Sequence, residues 1–138
     1  MRKIDEKKVY RLVDANFNRA KEALRVCEDV CRFFFDLPTL TRSYKNVRHS
    51  LTKLIEPLNI SHIILSRDIE NDKGRGTTKS ELTRSKVEDI FYANSQRIKE
   101  SIRVLEECTK LLDQDCSMKL KQLRYKVYEL EKKVIGRF

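Results

Sequence analysis

Residues 14–34, "DANFNRAKEALRVCEDVCRFF", align without a gap on residues 92–112, "YANSQRIKESIRVLEECTKLL". The offset is 78, and eight of the twenty-one positions are identical. Every third residue of the first copy spells Asn16, Arg19, Glu22, Arg25, Glu28; the second spells Asn94, Arg97, Glu100, Arg103, Glu106. Further on, "KNVRHSLTKL" (45–54) aligns on "KQLRYKVYEL" (121–130) at an offset of 76, pairing Arg48 with Arg124 and His49 with Tyr125. A helical hairpin written twice constrains the fold strongly. Two such hairpins bury their apolar stripes by packing face to face, so the expected architecture is an all-α four-helix bundle. One domain is expected over 1–138, with repeats at about 5–56 and 83–136.

Helical spacing of Val9, Leu12, Val13, Ala20, Leu24, Cys27, Val30, Cys31 and Phe34 predicts a first helix from about Asp5 to Phe35, stopped by "DLP" at 36–38. A second helix is expected from Thr39 or Thr41 to Pro57. "NISHIILS" (59–66) reads as either a short strand-like segment or another helical turn. Residues 66–83, which hold two of the three glycines, are expected to form a long polar loop between the halves. A third helix is expected from Ser85 to Leu112. "DQDCS" (113–117) should break the chain before a fourth helix over 118–135.

Net charge is +9 over 138 residues, which favours anionic partners: nucleic acid, a phosphorylated small molecule or a membrane surface. The N-terminal "MRKIDEKKVYRLVD" has no apolar signal segment, and neither "RFFFDL" nor "ISHIIL" is long enough to span a bilayer. A soluble, cytoplasmic protein is expected, with Cys27, Cys31, Cys108 and Cys116 as reduced thiols.

A step of three residues drifts about 60° backwards around a helix. Asn16 therefore falls inside the apolar arc, Arg19 at its edge, Glu22 farther out and Arg25 opposite. The second copy behaves alike. Such a row is ordinarily a solvated line of i, i+3 ion pairs. Its duplication, and two asparagines aimed at the core, favour a polar pocket at the inner end. Each asparagine also reads as a cap on nearby backbone. Arg25, Glu28, Arg103 and Glu106 are expected to face away from the core, where they suit a homo-oligomer interface.

Other motifs are less specific. "GRGTTKS" (74–80) lacks the Gly before Lys that a phosphate loop needs. "RDIENDKG" (67–74) places Arg67, Asp68 and Asp72 in a polar loop suited to Mg²⁺, or to nothing but solvent. Cys27 and Cys31 have the spacing of two metal ligands but lie in the apolar arc, so buried inert thiols are expected. His49 beside Arg48 suits a pocket or simple packing. The basic C-terminal helix with Tyr125 and Tyr128 is compatible with an RNA-binding face or an ordinary amphipathic surface.

"RLVDANFNRAKEALRVCEDVCRF", "VRHSL", "SRDIENDKG", "ANSQRIKESIRVLEE" and "LRYKVYELEK" occur in that order along nearly the whole chain. Together they resemble the monofunctional hydroxymethylpyrimidine phosphate kinase family, a small domain often fused N-terminally to thiamine-phosphate synthase and also found alone. The chain resembles the standalone form. The resemblance implies transfer of a phosphoryl group from ATP to 4-amino-5-hydroxymethyl-2-methylpyrimidine phosphate in thiamine biosynthesis, with ATP and Mg²⁺ as the cofactors and no nucleic-acid or membrane partner. Matching its motifs to the ladder assigns Arg19, Arg97, Glu22 and Glu100 to catalysis. Asn16, Asn94, Arg48, Arg124, Arg67 and His49 are assigned to substrate and phosphate, and Asp68 and Asp72 to metal, with Glu22 and Glu100 as further metal candidates. One pocket lined by both ladders and two separate pockets both fit the duplication. A non-catalytic RNA-binding or scaffold module is the alternative.

Overall fold

The computed structural model describes residues 5–138; the first four residues of the charged N-terminal stretch lie outside them. Its helices are α1 (Glu6–Asp29), α2 (Pro38–Ile55), α3 (Ile60–Leu65), α4 (Lys79–Leu82), α5 (Val87–Thr109) and α6 (Gln114–Ile135), and no strand occurs among the described residues. Four long helices make the bundle. α1 packs on α5, α5 on α6, α6 on α2 and α2 on α1, a closed ring around one apolar core. The Cys27 thiol near the end of α1 meets the Phe91 carbonyl near the start of α5, so α1 and α5 run antiparallel. The Cys116 thiol likewise meets the Leu54 carbonyl, which sets α6 antiparallel to α2. The two hairpins are thus related by an approximate twofold.

Several ends differ from expectation, each for a local reason. Pro38 opens α2 rather than stopping α1, because a helix's first turn has no use for the N–H that proline lacks. "DQDCS" begins α6: the Asp113 carboxylate caps it by accepting from the amides of Asp115 and Cys116. "NISHIILS" is helical, capped by Asn59, whose left-handed backbone (φ 67°) turns the chain from α2 into α3. The first hairpin is two residues longer than the second. A π-helical turn at Val30–Phe34 and a left-handed Asp36 (φ 53°) take up the excess, and α2 and α6 still begin at repeat-equivalent positions, Pro38 and Gln114.

All four cysteines are buried free thiols. Burial pushes Cys31 and Cys116 up to about 11 and raises Cys27 and Cys108 as well. All four therefore stay protonated at pH 8, where the thiolate is the reactive form. A thiol reagent such as DTNB is expected to label essentially none of them in the folded protein at pH 8 and all four after denaturation. Rapid labelling of the native state would contradict this packing.

Candidate functional site

The inner end of the ladder lies on α1, which Asp5 caps through the Lys8 amide. From Lys8 to Glu22 one face of this helix looks outward. The chain after α3 folds back over it and encloses a cleft of about 730 Å³. The α1 wall carries Lys8, Arg11, Leu12, Asn16, Arg19 and Glu22; the facing wall carries Arg67, Asp68, Ile69 and Asp72. Leu12, expected in the core, is instead half exposed on the cleft wall.

The facing wall is held by an ion pair. Arg67 donates from Nε to Asp14 Oδ2 at 2.8 Å and from Nη2 to Asp14 Oδ1 at 2.7 Å. Asp14 is 5% exposed, and Asn18 Nδ2 adds a hydrogen bond to its Oδ1 at 3.1 Å. A two-pronged guanidinium–carboxylate contact fixes orientation as well as distance. Arg67, assigned through the resemblance to substrate and phosphate, is the strap that ties its loop to α1. Asp14 went unassigned in the sequence because helical geometry puts it on the side away from the apolar arc, close in angle to Arg25, and only the returning loop buries it. Arg67→Ala is expected to cost about 1–2 kcal/mol. It should also raise amide hydrogen exchange across 66–72 while leaving α5 protected, as peptide-level exchange would show.

Asp68 receives hydrogen bonds from the side chain and the backbone amide of Asn71 at 2.9 and 3.2 Å. These bonds first, then the charges of Arg11 and Lys7, hold its carboxyl below the usual range, so Asp68 is ionised at neutral pH. Asp72 accepts from the Gly74 amide at 3.0 Å. No cluster of three or more metal-binding side chains occurs among the described residues. Mg²⁺ asks for less: one or two carboxylates, with phosphate and water completing its shell. Asp68 and Asp72 on one wall fit that demand.

Asn16 is buried, and its Nδ2 donates to the Leu12 carbonyl at 2.9 Å; Asn94 does the same to Ile90 at 2.8 Å. Only an amide nitrogen can donate there, so Oδ1 is left facing away as an acceptor.

The structure does not bring both ladders together. Asn94, Arg97 and Glu100 lie on the equivalent face of α5, outside this cleft, and Arg97 and Glu100 are solvent-exposed. Arg48 and Arg124 are elsewhere. Arg48 Nε donates to Glu28 Oε1 at 3.1 Å; Arg124 grips Glu106 through Nε and, at 3.1 Å, through Nη2. Glu28 and Glu106 are each 3% exposed, contrary to the expectation that they face outward. Four rungs of about 60° carry the ladder some 240° round the helix, back to the far edge of the apolar arc, where α2 or α6 covers it. His49 is exposed and lines no part of the cleft.

The ThiD2 family model matches residues 11–133. The chain belongs to the ThiD2 family. Curated relatives of this ThiD2 chain include the thiamine-phosphate synthases of Synechocystis sp., 39% identical over 93% of the chain, and of Nostoc punctiforme, 37% identical over 93%. A third, from Rhodopirellula baltica, is 35% identical over 99% of the chain. The chain spans only 36–38% of the length of these three proteins. No solved structure matches it. Among the described residues no helix is long and apolar enough to cross a membrane. The thiamine role thus stands in the names of those relatives, and the family match takes in all of the cleft-lining residues named above except Lys8.

Proposed function

We propose that this ThiD2-family chain is a kinase that transfers the γ-phosphoryl group of ATP to 4-amino-5-hydroxymethyl-2-methylpyrimidine phosphate, giving the diphosphate. The observation that carries this reading is the cleft. It sets Asn16, Arg19 and Glu22 of the ladder opposite Arg67, Asp68 and Asp72 of the polar loop. The product is a precursor of thiamine, which agrees with relatives named for making thiamine phosphate.

The chemistry asks little of the protein beyond positioning and charge. The attacking atom is a phosphate oxygen already anionic at neutral pH, so no strong base is required. It bonds to the γ-phosphorus as the bond to ADP breaks. Arg19 holds the acceptor phosphate and neutralises the charge that develops on the transferred group. The open Oδ1 of Asn16 accepts from the exocyclic amino group of the pyrimidine. Asp68 and Asp72, with Glu22 on the opposite wall as a further candidate, would hold Mg²⁺, which would disperse the charge of the phosphates. Arg67 keeps the carboxylate-bearing wall in place through Asp14.

The test is a coupled assay of ADP formation with ATP, Mg²⁺ and the pyrimidine monophosphate. Substrate-dependent ADP release matched by diphosphate formation is the expected result. Pure, folded protein that gives no release above the blank would end this reading.

A further inference from the structure

The cleft contains two cations that the duplicated ladder does not. Lys8 and Arg11 stand on α1 two turns and one turn before Ala15, and Arg19 stands one turn after it. Arg11 and Arg19 are eight residues apart on one face, which separates their backbones by about 12 Å. Between them the helix surface is low, because Ala15 contributes only a methyl group.

The charges of the cleft look balanced when counted, but they are not equally available. Asp14 is neutralised by Arg67, whereas Asp68 and Asp72 accept only from the neutral amides of Asn71 and Gly74 and keep their charge for a cation. On the cationic side only Arg67 is engaged so tightly. Lys8 makes a 3.9 Å contact with Asp5 in which both side chains are largely exposed, a pairing worth little. Arg11 and Arg19 have no hydrogen-bond or ion-pair partner among the described residues. What remains is a cleft with Lys8 and Arg11 unengaged at one end, Arg19 beside Glu22 at the other, Ala15 between them, and the carboxylates of Asp68 and Asp72 on the facing wall.

Resting on the kinase reading, we propose that these ends hold two different phosphate-bearing ligands. Lys8 and Arg11 take the polyphosphate of the nucleotide, and Arg19 takes the phosphate of the acceptor. The assignment follows charge. A polyphosphate carries more negative charge than a monoester and goes to the end with two cations, where Asp68 also lies within reach of the field of Arg11 and Lys7. The low floor at Ala15 is where donor and acceptor meet.

ADP is the probe, titrated calorimetrically with Mg²⁺ into the wild type, the double variant Lys8→Ala/Arg11→Ala, and Arg19→Ala. Loss of two charge-assisted contacts should weaken ADP binding by about tenfold or more in the double variant. Arg19→Ala should leave it within about threefold, because that contact belongs to the other ligand. The side chains changed are not buried, so all three proteins should melt alike, and Lys8→Arg/Arg11→Lys should restore binding. The proposal is overturned if the wild type does not bind ADP, if the double variant binds it as well as wild type, or if Arg19→Ala weakens it as much as the double variant does. The readout needs no turnover. The expected ADP pattern in a protein that forms no diphosphate would sink the kinase reading and leave the two-ended cleft standing.

Discussion

Arg19→Ala is expected to lower the rate of diphosphate formation by about 100-fold or more, the usual cost of removing one donor aimed at a transferring group. Arg97→Ala, its repeat-equivalent, should leave the rate within about twofold. The contrast is the informative part. The two arginines occupy identical positions in the repeat, both are solvent-exposed, and neither supports the core. They differ in what stands beside them: α3 and the loop after it fold over α1, and among the described residues α3 and α4 make no comparable packing on α5. Steady-state kinetics of the two variants, with melting curves to show both folded, decides between one working cleft and two. Equal losses in both would mean that the α5 face also takes part. Full activity in both would remove the ladder from catalysis.

Glu106→Ala is expected to be the most destabilising single change of those considered, at about 3–5 kcal/mol, with a fall in melting temperature of roughly 10 °C or more. Both carboxylate oxygens of Glu106 are engaged by Arg124, whose guanidinium also lies 5.3 Å from the Tyr125 ring centroid and 5.9 Å from that of Tyr128. Removing the glutamate strands a cation in a site with little water. Glu28→Ala should cost less, because its nearest partners, Arg48 and Arg25, are more exposed, Arg25 by more than half. Replacing Glu106 and Arg124 together by leucine should recover most of the loss, since neither charge is then left unpaired. Thermal unfolding of the three variants measures this, and a Glu106→Ala protein melting within a degree or two of wild type would contradict the geometry.

The bundle was legible because the repeat and the helical period state the same thing twice. The inner rungs were legible too: Asn16 and Arg19 sit where the drift of the ladder puts them. The outer rungs are harder to read, because the helical drift that turns Arg25 away from the core does not stop there. Past Arg25 it returns Glu28 and Glu106 to the core margin, and this also removes Arg48 and Arg124 from any role in the cleft. Asp14, Lys8 and Arg11 could not be found from the repeat, because the second half has no counterpart of the cleft they serve. Asp14 becomes meaningful only once Arg67 arrives from 53 residues away. The start of α6 was missed for a simpler reason. Asp113 is as good a cap as it is a breaker, and only the path of the chain distinguishes the two.

The ion pairs among the described residues share a property of some consequence. None joins the first half to the second: Asp14 pairs with Arg67 of the connecting loop, Glu28 with Arg48 and Arg25, Glu106 with Arg124, Glu131 with Lys99, and the surface pairs stay within one half likewise. Between the halves there is the apolar core, with two thiol–carbonyl contacts. The charged clasps therefore give each hairpin its own shape, and among the described residues apolar contact, with those two weak thiol hydrogen bonds, joins one to the other. A joint of that kind tolerates drift. The halves can change their surfaces independently, and the connecting loop can lengthen or shorten beyond Asp72, without rewriting any charge pairing. The whole α1 cleft travels with the first half. That leaves the second half, whose copy of the ladder lies outside the cleft, to act as a support.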